Sequence, residues 1–144
     1  MDSKKQLNCG LINIQSVGNK TIKIRNLINE LNLDMCLLTE TWLQGNISDN
    51  SKIKEMTPRT HGFYHVPRKE KIGGGVGAFV SKTFSKVSIK NDMIFESFEY
   101  IYLELIRNNK GLEVIILYRP PNSNRKKFME EFGVLVEMVN DVKK

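Results

Sequence analysis

Residues 7–39 constrain the fold of this chain most, because they read as strand, helix and strand in close succession. The apolar stretch Leu7-Asn8-Cys9-Gly10-Leu11-Ile12-Asn13-Ile14 suits one strand and runs into a polar turn, Gln15-Ser16-Val17-Gly18-Asn19-Lys20. Ile24, Leu27, Ile28 and Leu31 then recur at i, i+3, i+4 and i+7, the stripe of an amphipathic helix with Asn19 or Thr21 as its cap. The run from Met35 to Thr39 supplies the second strand. Such a unit closes most easily as a right-handed crossover between parallel strands, which brings both C-terminal ends to one sheet edge. Asn13 and Glu40 are therefore expected to be neighbours in space.

Glu40 follows the apolar run Met35-Cys36-Leu37-Leu38 and opens the phrase Glu40-Thr41-Trp42-Leu43. A carboxylate where a buried strand surfaces is a candidate ligand for a hard cation, since Mg2+ is held by one or two carboxylates together with substrate phosphates. The competing reading is a solvated Glu at the start of a loop. Asn13 has a competing reading too, as a simple turn-former. A third strand, Leu112 to Tyr118, is stopped by Pro120-Pro121 and delivers Tyr118 and Arg119 at its end. A Tyr hydroxyl can donate to a phosphate oxygen and an Arg can fork onto one, or the pair can simply cap a core and snorkel to solvent.

The rest of the chain completes a mixed sheet. The polar stretch Leu43 to Gly62, punctuated by Gly45, Asn50 and Pro58, reads as a long loop. Phe63 to Val66 and Val76 to Ser81 read as strands, joined by the Arg68 to Gly75 loop. Gly73-Gly74-Gly75 lacks the Gly-Lys-Ser/Thr ending of a phosphate loop and reads as a flexible strand entrance. Ile101, Leu103 and Leu105 alternate with Tyr100, Tyr102 and Glu104, and Asn108-Asn109-Lys110-Gly111 turns the chain back as a hairpin. Phe128, Phe132, Leu135, Val136 and Val139 make a final helical stripe.

Four phrases, in this order, resemble the endonuclease/exonuclease/phosphatase superfamily, and more narrowly the apurinic-type endonuclease domain of LINE-type (non-LTR) retrotransposons. They are Ile12-Asn13-Ile14-Gln15-Ser16 with Asn19-Lys20; Leu38-Thr39-Glu40-Thr41-Trp42-Leu43; Gly62-Phe63-Tyr64 through Arg68 to Gly73-Gly74-Gly75-Val76; and Leu117-Tyr118-Arg119-Pro120-Pro121. The resemblance implies a mixed-sheet α/β sandwich and DNA nicking by phosphodiester hydrolysis with Mg2+ or Mn2+. Glu40 corresponds to the acidic metal ligand, Asn13 to the strand-end Asn that orients the catalytic groups and stands with Glu40 at the metal, and Tyr118 to the Tyr that hydrogen-bonds the scissile phosphate. Gln15, Lys20, Trp42, Arg68, Arg119, Arg125 and Lys126 are the expected DNA contacts. Gln15 stands where some relatives carry an Asp, and Pro121 where others carry an Asn.

The family's downstream Gly-Asp-Phe-Asn and Ser-Asp-His phrases do not occur in this sequence, whose only histidines are His61 and His65. Residues 1–144 accordingly read as the N-terminal part of one such domain, incomplete at its C-terminus. Its expected partners are DNA, the missing C-terminal half and a downstream reverse transcriptase. Two rival readings are a non-catalytic remnant that binds nucleic acid and a phosphatase acting on a small phosphoester.

A formal net charge of +6 favours an anionic partner. Basic residues gather at Lys52, Lys54, Arg59, Arg68, Lys69 and Lys71, and again at Arg119, Arg125, Lys126 and Lys127. A DNA backbone needs such groups, although ordinary surface lysine gives the same pattern. No apolar segment is long enough to span a membrane, and the first residues lack the apolar stretch of a signal peptide. Cys9 and Cys36, each inside an apolar run, are expected to be buried free thiols in a reducing compartment, which makes the location intracellular and, for a DNA-nicking element, nuclear.

Overall fold

The computed structural model describes residues 6–68 and 73–142; Lys69, Lys71 and the chain end at Lys143-Lys144 lie outside them. Strand β1 (Cys9–Asn13) leads through helix α1 (Thr21–Glu30) to β2 (Met35–Thr39), and the two strands pair in parallel with Asn13 opposite Thr39. A 3-10 turn (Ile47–Asp49) and helix α2 (Asn50–Met56) precede β3 (His61–Val66), which pairs antiparallel with β4 (Val76–Ser81). The first sheet has the order β1-β2-β4-β3. Strands β5 (Lys86–Ile89), β6 (Glu99–Arg107) and β7 (Lys110–Tyr118) form a second, antiparallel sheet in the order β5-β6-β7, and helix α3 (Arg125–Val142) follows.

Apolar patterning on three levels stacks these elements. Met35, Val76, Ala78 and Val80 of the first sheet meet Ile101, Leu103, Leu105 and Ile116 of the second, which makes the central layer of a sandwich. On the outer face of the first sheet, Ile24, Ile28 and Met56 from α1 and α2 cover Cys36, Leu38 and Phe79. On the outer face of the second, Leu135, Phe128 and Val139 of α3 cover Phe98, Tyr100 and Tyr102. Both faces of β6 are thus buried, so its tyrosines pack as core. The result is the mixed-sheet α/β sandwich expected from the sequence. The β6–β7 hairpin turns through Asn108 and Asn109, both left-handed at φ 53° and 62°, as a tight hairpin twisted to match its strands requires.

Several local expectations change. Residues 43–62 are not a loop throughout, since α2 packs Ile53 and Met56 against the α1 core; two apolar residues in seven are too few to show a helical stripe. Thr21 is the first helical residue rather than a cap, because its hydroxyl donates to Glu55 Oε1 in α2 at 2.5 Å, and Lys20 takes the cap position without a side-chain bond there. Cys36 is buried but Cys9 is exposed, on the same uncovered face of β1 as Leu11, which is 68% exposed. The α3 stripe packs on the second sheet through Phe128, Leu135 and Val139, while Phe132 and Val136 stay exposed. Among the described residues no helix is long and apolar enough to cross a membrane.

Candidate active site

Six strand ends meet at one edge of the sandwich. Strands β1 and β2 finish there at Asn13 and Thr39, β3 finishes at Val66 opposite the start of β4 at Val76, and Glu99 at the start of β6 lies opposite Tyr118 at the end of β7. The backbone pairing continues past the strand ends. Ile14 N donates to Thr39 O at 3.0 Å, Ser16 N to Glu40 O at 2.8 Å and Val17 N to Thr41 O at 3.1 Å, while Thr41 N and Trp42 N donate to Gly75 O and Gly74 O at 3.2 and 2.8 Å.

This edge is also where the backbone is strained. Apart from asparagines, the non-glycine residues with left-handed φ among the described residues are Gln15 (48°), Ser16 (80°), Glu40 (55°) and Trp42 (59°), all on the two loops leaving β1 and β2. Each such residue costs roughly 1–2 kcal/mol. Strain of this kind persists only where the surroundings over-determine it, and it gathers at functional sites.

The glycine triplet is built into the same edge. Gly73, Gly74 and Gly75 have φ of 92°, 67° and 89°, and a Cβ on Gly74 would lie 2.2–2.4 Å from the Arg68 guanidinium, one on Gly75 2.5 Å from Thr41 Oγ1. Glycine here permits close approach, not flexibility as the sequence suggested.

Four charged or polar side chains converge on this cradle. Glu99 accepts from Gly75 N at 2.5 Å through one oxygen, and through the other from Arg68 Nε at 2.8 Å and from Arg68 Nη2. Burial pushes the Tyr118 phenol up, the charge of Glu40 adds to this, Arg68 opposes it, and Glu99 and a hydrogen bond with Glu40 raise it further. Tyr118 therefore remains a neutral donor through the physiological range, facing two carboxylates and a guanidinium. Trp42 is 44% exposed beside them, with its Nε1 3.6 Å from a Cβ placed on Gly73.

The structure brings together Asn13, Gln15, Glu40, Trp42, Arg68 and Tyr118. Lys20 sits at the same edge, but its Nζ donates to Ile14 O at 2.7 Å and Gln15 O at 3.0 Å, which ties down the strained loop. Arg119 is anchored locally: its Nε donates to Ser123 Oγ at 2.8 Å, and its guanidinium lies 4.8 Å over the Phe128 ring. Arg125 and Lys126 are exposed on the first turn of α3, whereas Lys127 is ion-paired with Glu96. Glu99 was missed by sequence reasoning. Counting the hairpin register outward from Asn108-Asn109 puts Glu99 opposite Tyr118, so the signal was present.

A divalent metal fits this edge only where substrate and water supply most of its coordination shell. Among the described residues no three His, Cys, Asp or Glu side chains converge, and Glu99 is engaged by Arg68 and Gly75. Glu40 is left as the available carboxylate, with the Asn13 amide at the neighbouring strand end. One carboxylate is enough for Mg2+ when phosphate oxygens and water complete the shell.

The fold has counterparts among solved structures. The 3′ phosphatase NExo (D146N) from Neisseria bound to product DNA hairpin matches with a TM-score of 0.65 and 18% identity, covering 96% of this chain and 53% of that one. D. rerio TDP2 complexed with single strand DNA product matches at 0.62 and 11% identity, over 95% and 56% of the two chains. A humanized D. rerio TDP2 matches at 0.56 and 14%, over 96% and 60%. These likenesses, at 11–18% identity, show a shared fold, the mixed-sheet α/β sandwich. This chain spans about half to three-fifths of the length of those structures. No protein-family model matches the sequence, and no curated protein sequence matches it.

Proposed function

We propose that the chain is the N-terminal part of a hydrolase domain that cleaves phosphodiester bonds in DNA with Mg2+ or Mn2+, of the LINE-type endonuclease kind, acting in the nucleus beside a reverse transcriptase. The observation that carries this reading is the gathering of backbone strain, Glu40, Tyr118 and Arg68 at one edge of this fold. Two of the matching structures hold product DNA, which supports the substrate class.

In this reading Glu40, oriented with Asn13, holds the metal ion. The bound ion would offset charge on the phosphate and its leaving oxygen. The neutral Tyr118 hydroxyl donates to a non-bridging phosphate oxygen, where a donor aimed at developing charge is most effective. Arg68 contacts a backbone phosphate through its exposed side, and Trp42 offers a ring on which a base can stack, an interaction worth about 1–3 kcal/mol. The Gly-Asp-Phe-Asn and Ser-Asp-His phrases, which carry further acid, base and His groups in the family that the sequence resembles, do not occur in these 144 residues. Groups that act as a unit lose most of the rate when some are missing, so the chain alone is expected to bind DNA and nick it very slowly or not at all.

The test has two arms. Anisotropy of a labelled duplex should show weak binding that falls steeply with salt. Absent or salt-indifferent binding counts against the DNA reading. Relaxation of supercoiled plasmid with Mg2+, run beside Glu40→Ala, should show almost no nicking; robust nicking abolished in Glu40→Ala would sink the partial-domain reading. A phosphomonoester at a DNA end is the second reading, favoured by the match to a 3′ phosphatase, and release of phosphate from a 3′-phosphorylated oligonucleotide without plasmid nicking would select it.

A further inference from the structure

Glu99 links three parts of the edge that the sequence leaves far apart. One of its oxygens fastens Gly75, the first backbone unit before β4, and the other takes the Arg68 guanidinium at the exit of β3, although Glu99 itself belongs to the second sheet. The pair is partly buried, with Arg68 24% and Glu99 19% exposed. Gly74 lies so close that any side chain there would displace the guanidinium. An unrestrained Arg retains most of its rotamer freedom and loses it on binding a phosphate. Here that freedom is already removed.

We propose that Glu99 is a positioning residue for nucleic-acid binding: it clamps the Arg68 guanidinium beside Tyr118 so that the exposed side of Arg68 meets a backbone phosphate. The proposal rests on the DNA-binding reading of this edge and gives it a direction of effect. A carboxylate close to a polyanion weakens binding through simple charge repulsion, so its removal should tighten binding if Glu99 is a bystander. A clamp predicts the opposite sign.

The experiment is duplex anisotropy over a salt series for the parent chain, Arg68→Ala, Glu99→Gln, Glu99→Ala and the double variant Arg68→Ala/Glu99→Ala. Arg68→Ala should lower affinity on the order of tenfold at about 50 mM salt and flatten the salt slope by about 0.9, the mark of one lost phosphate contact. Glu99→Gln and Glu99→Ala should weaken binding several-fold despite the lost negative charge. In the Arg68→Ala background the Glu99 change should not weaken binding further. Glu99→Gln retains the side chain's size and an acceptor for Gly75 N, so it keeps the test available if Glu99→Ala unfolds. In addition, the Arg68 Nε–H proton should be resolved and slow to exchange in the parent and lost from the spectrum in Glu99→Gln. Tighter or unchanged binding on loss of Glu99, with the parent binding normally, overturns the clamp alone. No binding by the parent overturns the DNA reading and the clamp's role with it.

Discussion

Substituting Gly74 by alanine tests the construction of the edge more sharply than removing any charged group. The new Cβ would stand 2.2, 2.3 and 2.4 Å from Arg68 Nε, Cζ and Nη2, far inside contact distance, at a residue already left-handed at φ 67°. The left-handed backbone costs an alanine roughly 1–2 kcal/mol. The guanidinium must also leave, which breaks its hydrogen bonds with Glu99. Charge-assisted hydrogen bonds are worth about 1.5–3 kcal/mol, and with a fifth to a quarter of each side chain exposed a discounted figure of about 1–2 is reasonable. Gly74→Ala should therefore destabilise by about 2–4 kcal/mol. Gly73→Ala supplies the control, because its φ is 92° but the nearest neighbour of its Cβ is 3.6 Å away, so only the backbone cost of roughly 1–2 kcal/mol remains. Urea unfolding monitored by circular dichroism reads both, with unchanged m-values required for the comparison. In an Arg68→Ala background the excess penalty of Gly74→Ala over Gly73→Ala should vanish. Equal penalties for the two glycines, or an excess that survives without Arg68, would refute the close-approach argument.

Three further outcomes follow from the packing. Gly133 sits inside α3 with open space where its Cβ would be, so Gly133→Ala should stabilise by about 0.5–1 kcal/mol, and a lower urea midpoint would contradict this. A thiol reagent should modify the exposed Cys9 in the native protein and leave Cys36, whose thiol burial pushes up to about 11, untouched until the chain unfolds; equal rates for both would refute the burial assignment. Burial first, then hydrogen bonding to Glu113, pushes the Tyr102 phenol from 10.0 up to about 12, so the fold holds this proton more tightly than the unfolded chain does. Its stabilising effect is complete below pH 10 and is lost as pH rises from 10 towards 12, and Tyr102→Phe should flatten that part of the urea-midpoint profile.

The parts of this architecture that were readable in the sequence are those governed by periodicity. The stripe at Ile24 and Ile28 fixes α1, the apolar runs fix β1, β2 and β7, and parallel pairing through one helix fixes the shared edge that places Asn13 beside Glu40. Hidden features depend on contacts between distant segments. Thr21 looks like a cap until Glu55 arrives from α2, and nothing in the sequence shows that the Lys20 ammonium bonds the Ile14 and Gln15 carbonyls. The glycine triplet shows the same limit. Three consecutive glycines suggest flexibility, but only the fold reveals that Arg68 and Thr41 fill the space their side chains would need.

The strain at this edge points to function because stability alone gives no reason for it. Gln15, Ser16, Glu40 and Trp42 together carry roughly 4–8 kcal/mol of backbone cost at about 1–2 per residue, comparable with the roughly 5–15 kcal/mol by which a whole domain is stable. The hydrogen bonds from Ser16 N, Val17 N, Thr41 N and Trp42 N hold this conformation, and the Lys20 ammonium holds the loop from its other side. Those backbone bonds would form equally well with glycine at positions 15, 16, 40 and 42, and glycine would remove most of the cost. What glycine would not supply is the Glu40 carboxylate or the Trp42 ring at the end of β2, next to Tyr118. A left-handed residue also breaks the strand's alternation, so Glu40 is not bound to the inward or outward direction that the pleat of β2 would impose. Side chains kept where glycine would be more stable are what an edge built to meet a ligand requires, and under the proposed function the carboxylate would take a cation, the neutral phenol and the guanidinium would take phosphate oxygens, and the ring would take a base.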